Sequence, residues 1–330
     1  MYHCMTQNIR LSRNLQLKAR TVRWEFITAL LIIILLAIFA LKSLGANVLS
    51  QNSEDRVQII FTDSQSAVLR ADTAIGGPAI VAVGEKLIQP FGICMGETGE
   101  LFVSDTGCLG IIGIDPQTGA QRVVAHNSML GVPFGIAAER GGAILVANGQ
   151  ALIRLNPETG ALSTVASGNY LRVPLAVAVA DNGNIFVADA LGAIVQVNPR
   201  NGQQTPITSA GYLHRPQGLA VRGNDIYVTD VATADGNFGI GRIVHIDARS
   251  GEQTVLSEGR GLVGPVGIAI EQNGNLIVGD PYTINEQSAE KFDGAIIRVD
   301  ATSGAQELLA RGQDNFVNPR CVALVRTAGE

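Results

Sequence analysis

The chain has 330 residues, enough for one large domain or two ordinary ones, with 46 % apolar residues, 38 glycines and only 5 % aromatics. That composition suits a turn-rich all-β protein with a core large enough to fold without staples. Of 24 basic and 29 acidic residues, six basic and one acidic lie in residues 1–45. The remainder carries 18 against 28, a net charge of −10, which repels phosphate backbones and excludes nucleic acid as an expected partner.

Residues 1–25 form a basic tail that leads into an uncharged apolar run, Phe26 to Leu41. As a helix these sixteen residues span about 24 Å, and Trp24 with Leu44-Gly45-Ala46 extends them toward a hydrocarbon core of about 30 Å. The spacing predicts one transmembrane helix over 26–45, with the basic tail cytoplasmic and everything after it exported. Two readings stay open. An uncleaved signal-anchor holds the protein on the membrane, whereas cleavage near Ser43-Leu44-Gly45 makes it a secreted, periplasmic or extracellular protein. Residues 46–55 are polar and read as a tether.

From residue 56 onward an internal repeat organises the chain. A Pro followed by small and aliphatic residues recurs as PFGIC (Pro90), PFGIA (Pro133), PLAVA (Pro174), PQGLA (Pro216), PVGIA (Pro265) and PRCVA (Pro319). The intervals of 43, 41, 42, 49 and 54 residues match a four-stranded propeller blade. A second strand follows each start and ends at Asp105, Asn148, Asp189, Asp230 or Asp280. A third strand then runs into a turn of the form [DN]-x-x-x-G, and a fourth leads away. Asn or Asp opening such a turn and Gly closing it with positive φ is hairpin chemistry.

Five complete units leave one unpaired inner strand at Pro319–Val325. The missing three strands lie at the other end of the domain, in VQIIFTD, AVLRAD and AIVAVGE. The expectation is therefore an all-β, six-bladed β-propeller over 56–326, closed by a 3+1 blade that hides both sheet edges, with a short tail at 327–330. Along the inner strands the second and fourth residues after Pro are small, and the third is Ile, Val or Leu. With period 2, aliphatics of one blade can pack on the small face of its neighbour.

The stretches PLAVAVADNGNIFVAD (Pro174–Asp189) and PVGIAIEQNGNLIVGD (Pro265–Asp280) resemble the NHL repeat. More loosely, residues 56–326 resemble the propeller group of gluconolactonase-like (senescence-marker), strictosidine-synthase-like and virginiamycin B lyase proteins. The resemblance implies the fold. For lactonase-like members it implies a divalent metal held by carboxylates and amides in the central channel, and for the lyase His and Glu with a metal. The inner strands depart from that pattern, offering only Glu139, Arg222 and Glu271 toward their far ends, with Gln217 and Arg320 at the start.

The Asp that ends the second strand in five of six blades reads as the cap of each blade's own turn. The loops give the other candidates. Asp230–Gly241 and Asp280–Gly294 are long and carry Asp230, Asp235, Asp280, Glu286 and Asp293, oxygen ligands suited to Ca²⁺ or another divalent cation, or else a solvated acidic surface. On the same face Arg172, His214, Arg215, Gln217, Tyr282 and Arg320 form a mixed-charge mouth for a carboxylate or sugar-like ligand, or surface ion pairs. His245 reads as an ordinary strand residue. Cys94 fills an Ala slot and Cys321 a Gly slot, which fits buried thiols; a Cys108–Cys321 disulfide is the alternative. No CxxC pair, GxSxG elbow, P-loop or HExxH occurs. The functional expectation is a membrane-tethered module that binds an unknown protein or small molecule without a cofactor. The alternative is a metal-assisted hydrolase or lyase.

Overall fold

The computed structural model describes residues 56–72, 78–208, 211–231, 240–283, 293–312 and 318–327. The segment 26–45, with its flanking tail and tether, lies outside these residues. No helix among the described residues is long and apolar enough to cross a membrane.

Residues Val57–Arg326 form one compact unit of six four-stranded antiparallel sheets. Blades 1 to 5 begin near Pro90, Pro133, Pro174, Pro216 and Pro265, and each runs from its inner strand outward in sequence order. Blade 6 is the closure. Pro319–Thr327 lies beside Arg56–Asp63, followed outward by Ala67–Asp72 and Ala79–Val83, the expected 3+1 arrangement. The second strands of blades 1 to 3 and 5 are buried throughout, as strands covered on both faces must be.

Six apolar clusters fill the six gaps between blades, and each is built alike. The aliphatic residue of one inner strand (Ile93, Ile136, Val177, Leu219, Ile268 or Val322) points into the gap before its blade. The small residue next to it (Cys94, Ala137, Ala178, Ala220, Ala269 or Ala323) borders the gap after it. Glycine is needed where inner strands touch. A Cβ on Gly92 would stand 2.5 Å from Phe134 O, and one on Gly267 would stand 2.5 Å from Arg320 O.

Hydroxyls tie the inner strands together. Thr229 Oγ1 accepts from Gly218 N at 2.8 Å and donates to Val266 O of the next blade at 2.9 Å. Thr62 and Ser104 repeat the bridge, Thr62 to Phe91 O and Ser104 to Phe134 O. Blade 2 has Ala147 at that position. There Gly135 N donates directly to Leu175 O at 2.8 Å, so the blade's regular inner strand starts only at Ile136.

Candidate functional site

The connections between blades and between second and third strands emerge on one face, and buried carboxylates organise it. Asp105 accepts from Ile88 N at 2.7 Å and Gln89 N at 3.1 Å in the incoming loop, and from Gly107 N and Cys108 N in its own turn, both at 2.9 Å. Asp189 holds Arg172 N, Val173 N and Leu191 N in the same way. In blade 2 the position is Asn148, because the incoming loop curls into a 3₁₀ turn at Ser128–Leu130. That turn presents the Met129 carbonyl, to which the amide Nδ2 donates.

Asp230 and Asp280 belong to this series. Asp230 accepts from His214 N and Arg215 N, and Asp280 from Val263 N, Gly264 N and Tyr282 N. Both side chains are fully buried with their oxygens directed at amides. Burial pushes the Asp280 carboxyl up to about 6 despite the three N–H donors, and raises Asp230 as well. Of the other acidic candidates, Asp235 and Glu286 lie outside the described residues. Asp293 is half-buried, its amide on Thr283 O at 3.0 Å. Among the described residues no three His, Cys, Asp or Glu side chains gather closely enough to hold a metal.

The mouth candidates separate into two sets. Arg172 and Arg215 are exposed and His214 half-buried, near Tyr170, Tyr212 and Leu191, which are 46 %, 48 % and 58 % exposed. Tyr282 is also exposed and lies on Gly264, where a Cβ would meet its ring. Of thirteen exposed large apolar side chains among the described residues, nine sit in the loops of this face; the rest are in outer strands.

Gln217 and Arg320 sit instead at the axis. The residue after each Pro (Phe91, Phe134, Leu175, Gln217, Val266, Arg320) rings the channel mouth. Phe91 and Phe134 meet edge to face at 5.5 Å, and the Arg320 guanidinium lies over Phe91, 5.8 Å from its centroid. Arg320 Nε is buried without an acceptor. Inside the ring, the glycines and aliphatics of the inner strands line a cavity of about 60 Å³, far smaller than a site for a whole organic ligand.

On the opposite face three arginines hold carboxylates. Arg122 chelates Glu100 at 2.6 and 2.7 Å, Arg154 chelates Glu139 at 2.5 and 2.9 Å, and Arg298 bridges Glu271 and Glu307. His245 Nε2 bonds Asp225 at 2.8 Å beside Tyr227. A cleft of about 310 Å³ between blades 1 and 2 is lined by Glu97, Glu100, Glu158 and Arg122. Glu97 there accepts from Gly141 N, and Glu100 is already paired.

Two features escaped the sequence reading. The mouth aromatics Phe91 and Phe134 carry no sequence signal beyond the strand repeat. A Leu three residues before Pro (Leu87, Leu130, Leu171, Leu213, Leu262) is buried in each of five blade connections and plugs the gap it crosses. The L-x-x-P spacing was the available signal. The three described cysteines are free thiols, so Cys108 and Cys321 are not bonded.

No family model matches the chain, and no curated protein matches it. Solved structures do. A chain from the nidogen/laminin complex superposes with a TM-score of 0.65 at 13 % identity, covering 83 % of this chain and 100 % of that one. Virginiamycin B lyase from Staphylococcus aureus gives a TM-score of 0.52 at 15 % identity, covering 83 % and 82 %. At these identities the likeness is one of fold.

Proposed function

We propose that this chain is an NHL-like propeller held on the outer side of a membrane by residues 26–45, and that it binds a protein partner through its loop-rich face. The observation that carries this reading is the concentration of exposed apolar side chains on that face, with Tyr170, Tyr212 and Leu191 beside Arg172 and Arg215. Tyr and Arg flanked by apolar side chains are the composition of interface hot spots, and loops on a rigid scaffold are where recognition concentrates. The similarity to a chain taken from a complex of two proteins agrees with it. The reading calls on no cofactor. The residues facing the channel from the inner strands include neither a carboxylate nor an imidazole to activate a water.

The test is cross-linking of the full chain, in detergent, to extracytoplasmic proteins of its own cell. Tyr170→Ser with Tyr212→Ser should remove the specific adducts, whereas Arg200→Ala with Arg249→Ala, on the opposite face, should leave them. Equal loss from both pairs would sink the reading. Turnover of a lactone or ester that stops on chelation would establish the metal-assisted alternative instead.

A further inference from the structure

We infer that the channel mouth around Arg320 is a subsite for one carboxylate, carried on an aspartate or glutamate side chain of the partner that docks on the loop-rich face. The inference rests on the docking reading and adds the chemistry of its centre.

Arg320 differs from the three carboxylate-paired arginines of the opposite face. Arg122, Arg154 and Arg298 each hold a carboxylate, while Arg320 makes no hydrogen bond or ion pair among the described residues, and its Nε is buried without an acceptor. A half-buried guanidinium has given up part of its hydration and needs an acceptor in return. Its cation–π contact with Phe91, 5.8 Å from the ring centroid, engages the charge without using a hydrogen-bond donor and leaves the N–H groups for an acceptor.

The surroundings select the ligand. Phe91, Phe134, Leu175 and Val266 supply apolar walls, and Gln217 is the one other polar side chain of the ring. One cation and one amide match a planar monoanion on an apolar stem. A phosphate dianion would leave one negative charge uncompensated among these apolar walls. The cavity beneath the ring, about 60 Å³, is lined by inner-strand glycines and aliphatics with Leu175 and Gln217 and holds no separate ligand, so the carboxylate meets Arg320 from the loop-rich face, carried on a larger molecule lying across it.

The experiment is ¹⁵N NMR of arginine-labelled full chain in detergent micelles, titrated with N-acetyl-aspartic acid N-methylamide. One guanidinium resonance should shift saturably and be absent from Arg320→Gln, while the blocked asparagine analogue moves nothing. Arg320→Lys should bind more weakly than wild type and more tightly than Arg320→Gln. Free propionate should bind at least tenfold more weakly than the blocked aspartate. No saturable shift, an equal response to the asparagine analogue, or a response that survives in Arg320→Gln would overturn the subsite. Equal affinity for propionate would overturn its assignment to a peptide. Should Arg320→Gln fail to fold, Phe91→Leu, which keeps the cation and removes its platform, is expected to weaken binding, and unchanged affinity counts against the inference. Saturable binding with cross-linking indifferent to Tyr170 and Tyr212 would sink the docking reading alone; the reverse result would sink the subsite alone.

Discussion

The backbone N–H of Asn318 donates to Asp63 Oδ2 at 3.0 Å across 255 positions of sequence. The capping bond that holds each blade connection elsewhere here joins the two ends of the domain, and Ser64 N returns a bond to Asn318 O at 3.2 Å. Asp63→Ala would leave the amides of Asn318 and Gln65 without that acceptor. The expected cost is about 2–4 kcal/mol, from the desolvation penalty of two unsatisfied donors. Hydrogen exchange should show Pro319–Thr327 losing protection before any other inner strand. Uniform loss around the ring would mean that the closure is not the weak point.

The bridging hydroxyls can be tested separately from the glycines they serve. Thr229→Val keeps the side-chain shape but removes both the acceptor for Gly218 N and the donor to Val266 O. A loss of about 1–3 kcal/mol in urea unfolding is expected. Gly218→Ala places a Cβ against Val266 O, which belongs to backbone and cannot swing away, so a loss of about 2–3 kcal/mol or more is expected. Blade 3, with Ala176 and Ala188 at the corresponding positions, already lacks the hydroxyl.

The ring was legible in the sequence because its determinants are local and repeated. Pro, a small residue, an aliphatic residue and a turn glycine recur at fixed offsets, and each reports a constraint that every blade meets. The glycine of [DN]-x-x-x-G shows where this reading stopped short. Gly119, Gly160, Gly202, Gly251 and Gly304 all have positive φ, as the turn requires. Each also lies beneath a carbonyl of the preceding blade's outer strand, a contact that no within-repeat pattern encodes. The candidate site was less legible for the same reason. Whether Asp280 faces a ligand or the amides of Val263 and Gly264 depends on a loop sixteen residues earlier in the chain. Arg320 became distinctive only once the fold laid it on Phe91, which is remote in sequence.

The thiols give a direct chemical check on the packing. Burial pushes Cys94 and Cys321 up to about 12, and burial together with the nearby Asp105 carboxylate pushes Cys108 up to about 11. At pH 8 all three should react with iodoacetamide far more slowly than a free thiol of pKa about 8.5, Cys108 fastest and the other two mainly after denaturation. Peptide mapping without reductant should recover Cys108 and Cys321 unlinked. A disulfide between them would require the closure blade and the second-to-third turn of blade 1 to sit differently.

Two sets of carboxyls titrate in opposite directions and predict the shape of the stability profile. Asp280, at about 6 in the folded protein against 3.8 unfolded, keeps its proton longer when folded. Between about pH 4 and pH 6 the native state then binds more protons than the unfolded one, so stability from this group is greatest at low pH and falls as pH rises. The difference is on the order of 3 kcal/mol, and Asp230 shifts in the same direction. The turn residues Asp115, Asp247 and Asp300 are held below 3.8, chiefly by the amides of Thr118, Ser250 and Ser303, so their contribution disappears only as pH drops through and below that value. Wild-type protein should accordingly unfold at a lower urea concentration at pH 7 than at pH 4.5. Asp280→Asn, which has no proton to lose there, should flatten the dependence between those two values and leave the acid limb below pH 4 in place. An unchanged slope in the variant would show that the three amides of Val263, Gly264 and Tyr282 outweigh burial and keep the carboxylate ionised.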